Sequence, residues 1–375
     1  MTHVFIVNQT TFNIHLQYMF AGTGFSTYQP SLYSTNSTKY DYENTFTGMI
    51  ADISKVREGD KVLFYVTGCR KFFGVFKIVG VPFFEPQNTN YLGVQLDKYL
   101  SFRVKIAPYK VYANGISEQQ ALDDIKTIDK PYQMCWSMIY RKLTGMRGCS
   151  FLMDYEMERM ETLLDNENNS TFLNGNNFYY DKINGIIAND NTQYVYQGVT
   201  TSPLSIDTRL HNVHGSHEGH LQAYIVQNYD VLTALKTRIL PQDTIKKWIG
   251  NEVVCSVGER RIDLLTIVET SDEIQIRIIE LKDEAPRRAI ITDQLPWYIK
   301  WVDEYVVPNL QNEKPVKIIP MIIAYPYGRN TPNKRAFEDG VDYFNNHLTG
   351  ICSNAILCNI ECIYYDRTQN PIKIY

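Results

Sequence analysis

The chain has 375 residues, with 37 Lys and Arg against 41 Asp and Glu, a net charge of −4, and 44% hydrophobic residues. This is the composition of an ordinary soluble globular protein, long enough for two domains that each bury a core. No apolar run is long enough to span a membrane, and no charged-then-apolar leader opens the sequence, so the expectation is a cytoplasmic protein without a membrane partner. The seven cysteines lack CxxC or other metal spacing and read as reduced, mostly buried thiols. The charge is uneven: residues 55–150 hold 15 Lys and Arg against 8 Asp and Glu, or +7, leaving −11 for the remainder. A basic stretch of this kind fits a phosphate-bearing partner, although basic surfaces also serve solubility.

In chain order, His3 to Asn8 (HVFIVN) reads as a short apolar strand, followed by Thr, Asn and Gln positions and the glycine-containing FAGTGF. Tyr28 to Asn44 is rich in Ser, Thr, Asn and Tyr and reads as a long loop or surface excursion. Strands are predicted at Lys61 to Val66 and Phe72 to Val79, separated by a turn at Gly68, with a third at Leu100 to Ile106. Repeated short strands with turn signals predict a small β-barrel or curled sheet. The opening strand, the phrases VREGDKVLFYV and FFGVFKIVG, the strand YLSFRVKI and the late run WSMIYRKLTGMRGCSFL together resemble the PUA superfamily, in particular its EVE and YTH-like members. The resemblance implies that residues 1–165 form a PUA-like barrel whose pocket holds a single, often modified, nucleobase taken out of the stack. Candidate pocket residues are Asn8, Gln9, Trp136 and Tyr140, with Arg141, Lys142 and Arg147 on flanking phosphates. Trp136 and Tyr140 also suit a purely packing role in the barrel.

Met153 to Leu164 reads as a helix with Tyr155, Met160 and Leu163 among its buried side. Nine asparagines then fall between Asp165 and Thr192, which marks 166–205 as a connecting segment; FYYDKINGIIA and QYVYQGVT within it have strand composition. His211 to His220 (HNVHGSHEGH) places four histidines at every third position. The glycines and the lack of a zinc spacing favour a solvated loop over an accessory metal site.

Arg261 to Val268 and Ile274 to Lys282 are β-branched runs around a polar turn, the pattern of a hairpin. With Ser271 and Asp272 at the centre of the turn, Thr270 faces Glu273 and Asp263 faces Glu280, and the strand period puts Lys282 on the face of Glu280. Two carboxylates and an ammonium on one face suit a hard divalent cation and phosphodiester hydrolysis. Asp263 followed by Glu280-Leu-Lys282 resembles the D…ExK core of the PD-(D/E)XK nuclease superfamily, and the wording RRIDLL and IIELK is similar to its RecB-type and NucS-like branches. That resemblance implies Asp263 and Glu280 as magnesium ligands (manganese may substitute), Lys282 as catalytic, Gln294 and Tyr298 of a QxxxY element in support, and Glu218 supplied by an earlier helix. Pro296 departs from the pattern, because it removes a helical hydrogen bond between Gln294 and Tyr298.

KPVKIIPMIIAYP, KRAFEDGVDYFNNHL and AILCNIECIYY then predict strand, helix and strand. The expected fold class is α+β and α/β in two domains: a PUA-like barrel, then a restriction-endonuclease-like mixed sheet flanked by helices over 206–375. There is no internal repeat, Walker-type loop or GxGxxG, so an ATP-driven enzyme is not indicated. The leading expectation is a magnesium-dependent endonuclease acting on double-stranded DNA with modified bases, as a homodimer on DNA. A mismatch or structure-specific repair endonuclease, and a non-catalytic reader of modified nucleic acid, are the alternatives.

Overall fold

The computed structural model describes residues 1–24, 40–86, 89–122, 128–138, 148–201, 204, 218–255, 260–310, 313–328, 333–348, 350–368 and 372–375, with side chains from 45 onward in the second segment. These form a mixed α/β protein with two mixed sheets, divided into two compact units: 1–129 with 134–205, and 130–133 with 206–375. Among the described residues no helix is long and apolar enough to cross a membrane. None of the seven cysteines is disulfide-bonded; Cys135, Cys149 and Cys255 are buried and the other four are half-buried, so fewer are buried than the sequence led one to expect.

In the first unit the strands are β1 (Thr2–Val7), β2 (Phe20–Thr23), β3 (Lys61–Val66), β4 (Lys71–Phe84), β5 (Phe102–Pro108), β6 (Ile116–Ser117) and β7 (Cys149–Leu152). Helices α1 (Gln9–Tyr18), α2 (Tyr40–Ser54), α3 (Gly93–Leu96), α4 (Glu118–Leu122) and α5 (Asp154–Glu167) accompany them. The sheet runs β2-β5-β4-β3-β1-β7, with β6 added to β4; β1 and β3 are parallel, which requires the crossover through α1, β2 and α2. Strand alternation buries both faces. Val4, Leu63, Tyr65 and Phe72 join Met157, Met160 and Leu164 of α5. Phe12 of α1 instead meets Phe64 and Phe73, with ring centroids 5.3 and 5.2 Å away. Full burial of such a phenylalanine stabilises by about 1.5–3 kcal/mol. On α5 the buried set is Glu156, Met157, Met160 and Leu164, and Glu156 is tolerated there because it accepts the Ser137 and Met153 N–H groups at 2.9 and 2.7 Å.

The predicted barrel is not closed. β2 and β7 are the two edges of the sheet, and no ladder joins them among the described residues. They approach where the Gly148 N–H donates to Thr23 Oγ1 at 3.2 Å, so close that a Cβ on Gly148 would lie 2.7 Å from that oxygen. The segment 166–205 belongs to the first unit. Strands β8 (Phe178–Asp181) and β9 (Ile186–Asn189) form a hairpin against α1, where Tyr180 lies 5.2 Å from Phe12. QYVYQGVT is not a strand; Tyr196 packs its ring on Phe20 and Tyr91 and its hydroxyl accepts from Arg103 at 3.0 Å.

The second unit contains α6 (Glu218–Asn228), α7 (Thr233–Ile239), β10 (Lys246–Val254), β11 (Arg261–Glu269), β12 (Ile274–Lys282), α8 (Leu295–Trp301), β13 (Val316–Ala324), α9 (Asn333–His347), β14 (Ile356–Leu357), β15 (Glu361–Asp366) and β16 (Lys373–Ile374). Its sheet order is β10-β11-β12-β13-β15-β16, with β14 on β13. β10, β11 and β12 are antiparallel, whereas β12, β13 and β15 are parallel. The parallel strands are covered on both faces, as near-continuous apolar runs such as VKIIPMIIA require. The final predicted strand is broken into β14 and β15.

Candidate active site

The hairpin has the register read from its sequence. Leu264 pairs with Ile279 and Glu269 with Ile274, so one step beyond the ladder Asp263 stands opposite Glu280. Thr270 closes the turn by donating its N–H to the Glu273 carbonyl at 2.9 Å. Both acids therefore meet at the carboxyl end of β12, where β12 is central in the sheet and α6 and α8 cover it. Crevices at the carboxyl ends of such strands are where mixed sheets bind ligands.

Lys282 Nζ is the hub of the site. It donates to Glu218 Oε2 at 2.9 Å, lies 3.0 Å from Glu280 Oε1, and donates to the Leu281 carbonyl at 2.6 Å. Asp263 Oδ2 accepts the Leu281 N–H at 2.8 Å, which ties the carboxylate of β11 to the backbone of β12. The structure thus brings Asp263, Glu218, Glu280 and Lys282 together. Burial raises the pKa of Asp263 well above the carboxylate range, and the Glu280 and Glu218 charges push it further the same way. Burial likewise raises Glu280 and Glu218, against the pull of Lys282. Burial works against the Lys282 ammonium, but Glu280, Asp263 and Glu218 outweigh it and hold its pKa above the ordinary lysine value.

Tyr298 is buried on α8, and its phenol is raised first by burial and then by the nearby charges of Glu280, Cys255 and Asp263. Gln294 is half-buried and its side chain makes no hydrogen bond among the described residues. Pro296 explains the difference. The helix begins only at Leu295, after a wide turn over Ile290–Gln294 in which the Leu295 N–H reaches the Ile290 carbonyl, so Gln294 and Tyr298 do not share one regular helix.

Three residues were not anticipated. Gln222, one turn beyond Glu218 on α6, donates to the Asp263 carbonyl at 3.0 Å and to Glu252 Oε1 at 3.2 Å, and Asn251 Nδ2 reaches its oxygen at 3.5 Å. The i, i+4 spacing from Glu218 is the sequence signal for Gln222. Glu252 has a left-handed backbone, φ 52°, where the β10–β11 ladder skips from Asn251–Leu264 to Val253–Ile262. Glu252, opposite Asp263, is held by Gln222 and by Arg261, whose NH1 lies 3.1 Å from Glu252 Oε2.

Glu280 is 2% exposed, and its Oε2 has no hydrogen-bond partner among the described residues. A buried carboxylate oxygen without a donor fits a cation ligand. No group of three or more His, Cys, Asp and Glu side chains that could hold a metal occurs among the described residues. Magnesium does not require one, since it takes one or two carboxylates and fills its shell with water and substrate phosphate. Asp263 and Glu280 are two carboxylates of that kind.

In the first unit, Asn8 caps α1: its Oδ1 accepts the Thr11 N–H at 2.8 Å, and Thr11 Oγ1 accepts the Asn8 N–H at 3.1 Å. Its side-chain oxygen is therefore used by the helix rather than offered to a base. Gln9 lies beside Gly68, where a Cβ would come 3.1 Å from its Cγ. Trp136 is buried, as the packing role requires. Tyr140, Arg141, Lys142 and Arg147 lie outside the described residues. A cavity of about 160 Å³ is instead lined by Ile6, Gly22, Thr23, Gly24, Lys98, Leu100 and Gly148, where the sheet edges approach. Of the histidine run, His220 is buried within α6 rather than in a solvated loop, and the other three lie outside the described residues.

No protein-family model matches the chain, and a search of curated proteins finds no match.

Proposed function

We propose that the second unit is a magnesium-dependent endonuclease domain that hydrolyses DNA phosphodiester bonds, and that the first unit selects DNA carrying a modified base. The observation that carries the first part is the meeting of Asp263, Glu280, Glu218 and Lys282 at the end of β12. Asp263 and Glu280 would hold the ion, and manganese has the same ligand preferences. When bound, magnesium polarises a phosphoryl oxygen and makes its water a stronger acid. Lys282, kept protonated by its acidic neighbours, orients the attacking water and offsets the negative charge that builds on the phosphoryl oxygens. Glu218 fixes the ammonium at 2.9 Å, and Gln222 holds the strand that carries Asp263. For the second part, the support is the PUA-like wording together with the cavity between the sheet edges, which is lined by Thr23 and Lys98 among others.

Incubation with plain, methylated, hydroxymethylated and glucosylated DNA in magnesium tests both parts. The expected result is cutting of one modified form in preference to plain DNA. Equal cutting of all four would remove the reader, and no cutting in magnesium or manganese would remove the nuclease.

A further inference from the structure

Next to the acidic cluster lies a pair that the hydrolytic chemistry does not use. The Arg260 guanidinium sits over the Trp297 ring, 5.2 Å from its centroid, and donates to the Asp293 carbonyl at 3.2 Å. Trp297 is 47% exposed, whereas the other three tryptophans, Trp136, Trp248 and Trp301, are 7%, 3% and 4% exposed. The indole thus presents a flat, half-open face on which another ring can stack.

The pair is tied to the site from both sides. Arg260 precedes Asp263 by three residues, and its carbonyl is fixed by the Cys255 N–H at 2.9 Å. Trp297 precedes Tyr298, and a rotation of about 100° per helical residue turns Tyr298 inward while Trp297 faces out. The charges of Arg260 and Glu280 are both felt at Tyr298 and at Cys255, in opposite directions. Arg261, also exposed, adds a second cation on the same rim beside Glu252. Carboxylates repel a phosphodiester, so substrate must be held by cations and ring faces around them.

We propose that Trp297 and Arg260 bind an unpaired nucleotide of the strand being cut, with Trp297 stacking on its base and Arg260 pairing with a phosphate. The inference rests on the nuclease reading and adds the form of the substrate to it. The face of a base inside a continuous duplex is covered by its neighbours, so a flat indole reaches it only where the strand is locally opened. Arg260 then exchanges its place over the ring for a phosphate, with most of its five donors available.

The test uses the full chain in EDTA, where no cleavage occurs, titrated with a fluorescein-labelled 12-nucleotide oligo(dT) and with a blunt duplex. The oligonucleotide is expected to quench tryptophan emission, because Trp297 is the exposed fluorophore, and the duplex to quench it less. Trp297→Phe should keep the affinity read by anisotropy and lose the quenching, whereas Trp297→Ala should weaken binding roughly fivefold to 100-fold. Arg260→Ala should lower the slope of log affinity against log salt by about 0.7. Unchanged quenching in Trp297→Phe, unchanged affinity in Trp297→Ala, or equal quenching by the duplex would overturn the proposal. Oligonucleotide binding of this kind with no cleavage in magnesium would keep Trp297 and Arg260 as a single-strand contact and overturn their tie to a strand being cut, together with the nuclease reading; cleavage undiminished in Trp297→Ala would overturn the contact and keep the nuclease reading.

Discussion

Glu280→Gln is expected to leave the fold in place and to lower DNA cleavage in limiting magnesium by about a thousandfold. The substitution keeps the shape of a side chain that is almost wholly buried and keeps an acceptor for Lys282 at the Oε1 position, 3.0 Å away. It removes the negative charge and replaces one carboxylate oxygen by an amide donor. A bound divalent ion supplies several kcal/mol of transition-state charge stabilisation, and about 4 kcal/mol corresponds to a thousandfold in rate. Cleavage followed on a gel across a magnesium titration checks it, with thermal melting to show that the variant is folded. Undiminished cleavage would move the active site elsewhere.

Asp263→Asn is expected to abolish cleavage while raising the melting temperature of the metal-free protein at neutral pH. The sign follows from linkage. Burial and the Glu280 and Glu218 charges raise the Asp263 pKa above its unfolded value, so its contribution to stability is fully present below the ordinary carboxylate range and is lost as pH rises through the folded value. Above the ordinary carboxylate range the native chain carries that cost and the asparagine does not, while Oδ1 of the asparagine can still accept the Leu281 N–H. Each kcal/mol relieved in a unit of this size raises the melting temperature by roughly 2–4 °C. The gain should vanish at about pH 4, where the native carboxyl is already protonated. Magnesium at a hundred times its dissociation constant should stabilise the native chain by about 2.7 kcal/mol and the variant far less. Melting curves in EDTA and in magnesium, at neutral and acidic pH, read all of these.

The hairpin was legible because its turn, with Thr270 facing Glu273, sets the register, and that register alone fixes which acids meet. Glu218 was legible from its place at the head of a helix, and Gln222 carried the same signal at one turn's distance. The left-handed backbone at Glu252 was not, since it leaves no mark in the residue pattern of GNEVV. Helix α1 is not marked in the sequence because Thr and Asn have weak helix propensity and its capping pair, Asn8 and Thr11, is not the familiar Ser or Thr with Glu. Asn8, a pocket candidate in the sequence, caps that helix with its side-chain oxygen. The closed barrel failed for a related reason: short strands predict curvature, yet whether the last edge pairs with the first depends on a close approach such as that of Gly148 to Thr23. The kink at Pro296 was legible; its consequence, a buried Tyr298 beside the acids and a Gln294 left out, required the three-dimensional path of the chain.

The claim that Asp263 and Glu280 form a divalent-cation site beside Lys282 is tested most directly by titrating the DNA-free protein with manganese and counting bound ions by electron paramagnetic resonance. One ion per chain in the native protein, and none in Asp263→Asn with Glu280→Gln, is the predicted result. Equal binding by both proteins, or no binding by the native one, would contradict it.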